Sequence, residues 1–404
     1  MIGVLIVISA AAGAFAGCSS KPAVDWHARS FADAERAARG TTVAFFMWGG
    51  SAQINTWVDT YVVSEMKRQY DITVWRVPMD TDVFVNKLIT EKEAGKSRGS
   101  MDLLWINGEN FYNAMKAGVL FGPFAERLPN FRKYVSAKAV ADDFGFPVRG
   151  YEAPWGRAQF VFEYDSAKIS DPLRSFAALL GWAKEHPGEF TYPEPPFDFT
   201  GSAFIRQALY AVTGGSEQYM GGFSKSLYQK EAPKLWAYLN EIAPYLWRQG
   251  TTYPKDIAAL DLLFERGEVA FDMSYDPGHA ESMILNGQYP PTVRTFVMRD
   301  DSIYNTNFTA IPFNAPNVPA AMVLANFLLS PEAQYSKNEP RNWGSFTALD
   351  LAKLPPDWRT KFEHLNLGQA TLPFSALDAN AVPEAPAGYL RALQRDWAPN
   401  VLSR

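Results

Sequence analysis

Apolar residues along the chain fall into two alternating patterns, unbroken runs and helical spacings. Residues 41–47 (TTVAFFM) form a nearly continuous apolar run, as in a strand covered on both faces. Trp48-Gly49-Gly50 breaks it. From Ser51 onward, Ile54, Trp57, Val58, Tyr61 and Val62 recur at i, i+3, i+4, i+7 and i+8, one face of a helix. Residues 72–77 (ITVWRV) predict a second strand, 80–94 a second helix ending at Gly95, and 102–106 (DLLWI) a third strand. A helix follows Asn107-Gly108 and closes at Gly118. Upstream, Ser30 caps a short helix, with Asp33 at its third position and Gly40 at its end. This β-α-β-α-β-α order predicts an α/β fold built on a mainly parallel sheet with helices on both faces.

Beyond residue 118 the pattern loosens. Residues 119–150 contain Pro123, Pro129 and Pro147 and read as irregular. Residues 159–164 (QFVFEY), 269–274 (VAFDMS), 293–298 and 309–312 predict further strands. Helices are expected from the Ser175 cap through Lys184, from a Ser202 cap to Ala211 after the Pro-rich loop 192–200, and over 233–246. An apolar helix over 320–329 follows, and Ser330-Pro331 opens the next. The tail 340–404, with Pro355-Pro356, carries no clear pattern.

Composition narrows the chemistry. Lys plus Arg number 38 against 43 Asp plus Glu in 404 residues, a net charge of −5, which argues against a broad nucleic-acid surface. Aromatic residues reach 14%, suited to concave sites that hold ligands by stacking. The one Cys (Cys18) excludes an intramolecular disulfide. His27, His186, His279 and His364 lie far apart without ligand spacing, so no Cys/His zinc motif is read and no metal or cofactor is expected, although the count leaves an oxygen-ligand site for a hard cation open. Residues 1–17 are uncharged, apolar and then small, and read as a signal peptide. Phe15-Ala16-Gly17-Cys18 resembles the bacterial lipobox, with Phe15 in place of the usual Leu. The resemblance implies acylation of Cys18. No other run is long and apolar enough to span a bilayer.

Several motifs in order resemble the bilobal substrate-binding lipoproteins of ABC importers. They are Trp48-Gly49-Gly50-Ser51 after a strand, DLLWINGEN at 102–110, Ala153-Pro154-Trp155-Gly156 before a strand, and FLLSPEAQ at 327–334. The run 105–110, with 151–159 and 235–250, is similar to the branch described as thiamine-type binding proteins. The resemblance implies a type II periplasmic-binding-protein-like fold: two α/β lobes, each a mainly parallel sheet flanked by helices, joined by a two-strand hinge. It places lobe one at 40–150 plus 295–337 and lobe two at 151–294 plus 338–404, after the 1–17 signal peptide and an 18–39 segment of lipidated tether and first helix. It further implies a monomer at the cell surface or in the periplasm that closes on a small molecule and serves an ABC permease and its ATPase. No nucleic-acid partner is expected.

In open parallel sheets, ligands sit beyond the carboxyl ends of strands. The loops there nominate Trp48, Gly49, Gly50 and Ser51; Asn107, Glu109 and Asn110; Trp155; Thr200 and Ser202; Tyr275 and Asp276; and Tyr304 and Asn307. Each has a plainer structural reading: a tight turn at Gly49-Gly50, helix caps at Asn107 and Ser202, a core ring at Trp155, a turn at Asp276. Carboxylates with aromatic walls favour an organic cation, thiamine among others. Arg149, Arg157 or Arg206 turned into the cleft would favour a carboxylate or phosphate instead. No GxSxG elbow and no phosphate loop is present, so no enzyme is expected. The alternatives are a secreted hydrolytic lipoprotein, for instance a carbohydrate-active one, and a sensor built on the same fold.

Overall fold

The structure, a computed structural model, describes residues 24–402; the leader and Cys18 lie outside the described residues. Strand Thr42–Met47 is central, parallel to Thr73–Pro78 on one side and to Leu103–Ile106 on the other. Its burial is continuous from Val43 to Met47, as the unbroken apolar run required. The eleven-residue strand Ser302–Pro312 adds to Leu103–Ile106 antiparallel and is flanked beyond by Glu152–Gln159, also antiparallel.

The second sheet has three strands. Val161–Asp165 lies between Phe271–Ser274 and Val293–Phe296 and runs antiparallel to both. A mainly parallel sheet was expected in each lobe; the first lobe's sheet is mixed, parallel around Thr42–Met47 and antiparallel around most of Ser302–Pro312, and the second lobe's is wholly antiparallel. The helices between Phe176 and Glu265 separate Val161–Asp165 from its first partner, so the chain can return from either end, and local patterning does not set the direction.

Buried apolar side chains divide into two large cores. One gathers Phe45, Leu104, Phe308, Val323 and Phe327; the other gathers Phe162, Phe204, Leu239, Phe271 and Trp397. We call these the first and second lobes. Trp343, Leu349, Leu354 and Phe362 fill the first core, although the sequence places 338–404 in lobe two; the chain joins the second core only from Ala370. The reason is local. Helix Pro331–Asn338 packs into the first lobe and holds the segment behind it: Asn342 donates to the Ser336 carbonyl, and Gln334 accepts from Thr347 and Ala348.

The crossings run through adjacent strands. Glu152–Gln159 leads directly into Val161–Asp165, and Ser302–Pro312 makes the return. A third piece, Ala381–Pro383, pairs parallel to Ser302–Tyr304. Two helices start earlier than their patterns suggest. Phe199–Thr213 is capped by Asp198, whose carboxylate accepts from Gly201 N, leaving Ser202 in the helix interior. Lys225–Ile242 starts at the Ser224 cap and carries Pro233 inside it. Among the described residues no helix is long and apolar enough to cross a membrane.

Candidate functional site

The lobes meet where helix Gly108–Ala117 of the first packs against helix Ala387–Val401 of the second, and where Phe144 of the first approaches helix Phe199–Thr213 of the second. Asn107 is extended and does not cap its helix. Its side chain turns to the return strand instead: Nδ2 donates to Asn307 Oδ1 (3.1 Å), and Oδ1 accepts from Phe308 N (3.1 Å). Gly108 N donates to the Asp143 carboxylate. Gly108 has φ +58, and a Cβ there would meet the Phe144 ring at 3.0 Å, so both backbone conformation and space call for glycine. Phe144 then reaches across: its ring lies 6.3 Å from Phe199, and Phe199 lies 5.0 Å from Tyr275, both edge to face.

Beneath these rings sits a buried ion pair. Arg206 grips Glu384 with two bonds, Nε to Oε2 at 2.7 Å and Nη2 to Oε1 at 2.8 Å. Its Nη1 donates to Ser202 Oγ at 2.6 Å, and the Tyr275 hydroxyl donates to Glu384. Burial opposes the Arg206 charge, but Glu384 outweighs it and holds the guanidinium protonated.

Two further acids lie close by. Asp143 is 2% exposed; burial pushes its carboxyl well above the usual range, the Gly108 N–H pulls the other way, and Glu384 adds to the rise. Glu152 is 1% exposed, and neither of its carboxyl oxygens has a hydrogen-bond partner. Burial, then Asp143, push it well above its usual range too. Near the rim Glu109 pairs with Arg391 across the lobes at 3.2 Å. Asp143, Glu152, Glu384 and Glu109 thus face two cations, Arg206 and Arg391.

The structure gathers Asn107, Glu109 and Asn307 on one side of this junction and Ser202 and Tyr275 on the other. Asn110 follows on the same helix, half-buried, and Thr200 is buried in the first turn of its own helix. Other nominated residues have structural work. Trp155 is sealed in the first core, with Phe45, Trp105 and Trp343 at 5.5, 4.9 and 5.1 Å, because its strand turns that face inward. Asp276 accepts from Trp343 Nε1 at 3.1 Å. Tyr304 lies under the Arg157 guanidinium at 4.7 Å. In the Trp48–Ser51 turn the Trp48 ring folds over Gly50, Ser51 Oγ caps the next helix through Ile54 N, and Asn55 holds the Gly49 carbonyl.

Behind the hinge strand lies Lys337, fully buried. Its Nζ donates to the carbonyls of Trp155 and Phe346 and sits 5.2 Å from the centre of the Trp343 ring. A Cβ on Gly156 would stand 2.6 Å from that nitrogen, so glycine leaves room for the ammonium. Burial pushes Lys337 down to about 7, against the pull of Asp276. The unfolded chain keeps a lysine protonated to about pH 10. Between about pH 7 and 10 the unfolded state therefore binds more protons, and stability rises with pH by roughly 1.4 kcal/mol per unit from this group. Urea unfolding of wild type and Lys337→Met at pH 7 and 9 should show a smaller rise in the variant; parallel behaviour would refute the buried charge.

Against this geometry, the comparisons are direct. Residues 61–364 match the family model described as bacterial extracellular solute-binding protein. Protein YnjB from Escherichia coli (strain K12) is 38% identical over 373 residues, 92% of this chain and 94% of that protein. The chain belongs to the bacterial extracellular solute-binding proteins. A solute-binding protein of this kind is also close in fold to two solved structures. One is a periplasmic thiamin binding protein, with a TM-score of 0.60 and 17% identity over 90% of this chain and 96% of that one. The other is the periplasmic binding protein AfuA from Actinobacillus pleuropneumoniae with fructose-6-phosphate bound, with a TM-score of 0.62 and 14% identity over 90% and 99%. The fold is thus the type II periplasmic-binding-protein fold, and it hosts ligands of opposite charge, so the charge preference of this solute-binding protein has to be read from its own side chains.

Of those, sequence reasoning missed Asp143, Phe144, Phe199 and Glu384. Arg206 was named only as a possible spoiler. It does enter the junction, but Glu384 meets its charge. The Ser202 and Arg206 pair stands at i, i+4, one helix face, and that spacing was the available signal. Glu384 gives none, since it follows a patternless tail.

Proposed function

We propose that this solute-binding protein captures a small organic cation between its lobes and hands it unchanged to an ABC permease, tethered outside the cytoplasm by a lipid on Cys18. One observation carries the reading: at the lobe junction buried acids outnumber cations, and the walls are Phe144, Phe199 and Tyr275. A carboxylate held without a partner, as Glu152 is, suits an incoming cation, which supplies the missing charge and adds cation–π contact worth up to ~2 kcal/mol when desolvated. A thiazolium with an aminopyrimidine, as in thiamine, combines charge, stacking faces and N–H donors. Asn107, Glu109, Asn110, Asn307, Ser202, Thr200 and Tyr275 border the same space, and the Trp48–Ser51 turn is proposed as its outer rim.

The test is a thermal-shift screen of the soluble chain from Ser19 against thiamine and its phosphates, polyamines, choline, amino acids, sugars and oxyanions. A ligand at 100 times its Kd stabilises by ~2.7 kcal/mol. The expected hit is a cation. Because burial pushes Asp143 and Glu152 well above the usual carboxyl range, a cation binding there competes with protons, and its Kd should fall as pH rises. Glu152→Gln should flatten that trend. Hits confined to anions would reject the cation reading.

A further inference from the structure

A second cluster of ionisable groups lies inside the second lobe, away from the lobe junction. Strands Val161–Asp165 and Phe271–Ser274 are paired so that Glu163 stands directly opposite Asp272. Both are 0% exposed. Two carboxylates in direct cross-strand register repel each other, and burial removes the water that would screen them. Two helices bring further ligating groups to the same point. His279, at the start of His279–Leu285, places Nδ1 at 3.0 and 3.2 Å from the two Glu163 oxygens. Asp261, from Ile257–Glu265, has Oδ2 3.9 Å from His279 Nε2, and its buried Oδ1 has no hydrogen-bond partner.

Neutral donors complete the surroundings. The Tyr289 hydroxyl donates to Asp272 Oδ2, and Met273 N donates to Asp272 Oδ1 at 2.8 Å. Neither brings charge. Three carboxyl groups therefore gather around one imidazole. One ligating atom each from Glu163, Asp272 and His279 lie within 4.8 Å of one another, close enough to share a single ion.

We infer that this cluster is a binding site for one divalent first-row transition ion, Zn²⁺ being the type. Glu163 and Asp272 contribute a carboxylate oxygen each and His279 contributes Nδ1. Asp261, 3.9 Å from His279 Nε2 on the other side of the ring, adds negative charge beside the site. The imidazole decides the class: Ca²⁺ and Mg²⁺ take oxygen ligands, whereas an imidazole among carboxylates suits Zn²⁺, Co²⁺ or Ni²⁺. Bound there, the ion ties two strands and two helices of the second lobe together. It also anchors the Tyr275–Gly278 turn, which joins Phe271–Ser274 to the His279 helix and carries Tyr275 to the lobe junction. No turnover is attached to the ion, and the site is independent of whichever solute the lobes capture.

The experiment uses the full chain without an affinity tag, stripped by chelator. It is titrated with Co²⁺ and Zn²⁺, and separately with Ca²⁺ and Mg²⁺, read by calorimetry, thermal unfolding and the visible absorption of Co²⁺. The expected result is one equivalent of Zn²⁺ or Co²⁺, an intense visible Co²⁺ band, and a raised midpoint that chelator reverses. Glu163→Gln and His279→Gln should each weaken Zn²⁺ binding at least ten-fold, in line with the usual loss when a metal site is disturbed. Asp261→Asn, at the half-buried edge, keeps the test readable if the buried variants fail to fold; it should weaken binding several-fold. Absence of saturable binding to the folded wild-type chain would overturn the inference. So would binding that all three variants leave unchanged, or a preference for Ca²⁺ or Mg²⁺.

Discussion

Arg206→Met should destabilise the protein by about 3–5 kcal/mol, the usual cost of breaking a buried ion pair from one side. The side chains of Arg206 and Glu384 are 1% and 2% exposed, and two parallel bonds join them. Removing the guanidinium leaves Glu384 buried with the Tyr275 hydroxyl but no cation, and Ser202 Oγ without its donor. The asymmetry is the informative part. Replacing both partners, Arg206→Met with Glu384→Leu, removes the stranded charge and should recover most of the loss, because a buried pair costs nearly as much to desolvate as it returns. Urea unfolding at pH 7.5 reads both. A single variant costing under 1 kcal/mol would mean that water reaches the pair and that the junction is more open than described. In the solute screen, the double variant should also lose the aligned Tyr275, and with it part of the affinity for the cation.

Trp155→Ala is expected to cost about 3–5 kcal/mol, the range for emptying a large aromatic site in a packed core. The ring is 0% exposed and meets Phe45, Trp105 and Trp343 edge to face. Its indole N–H has no hydrogen-bond partner, so part of its surroundings already carries an unsatisfied donor. Trp155→Phe should therefore be far milder, since it keeps most of the packing and deletes the stranded donor. Measured against the same solute, Trp155→Ala should change affinity little once the loss of folded protein is allowed for. A ten-fold weaker Kd at full folding would restore Trp155 to the binding surface and move the cleft toward the first core.

The contrast between these two sites shows where reading along the chain works. The strand Thr42–Met47 and the helix after Ser51 were legible because apolar spacing is a local consequence of backbone geometry. The Ser30, Ser175 and Ser330 caps were legible for the same reason: each side chain bonds a backbone N–H three residues on. Trp155 carries no such mark. An aromatic residue beside a glycine reads alike on either side of a strand, and only the packing of Trp105 and Trp343 from distant segments decides which face is inward.

By itself the sequence determined the alternating α/β order, the three parallel strands of the first lobe, the family motifs, and the loops that end near the junction. Each rests on interactions between residues a few positions apart. The tertiary structure decided the rest: the antiparallel direction of the second sheet, the return of residues 343–362 to the first core, and the partners of Arg206, Glu152 and Lys337. Arg206 and Glu384 are 178 residues apart. Whether a charge is paired, stranded or free depends on which groups folding brings within a few ångströms and how much water it removes, and neither is encoded in local spacing.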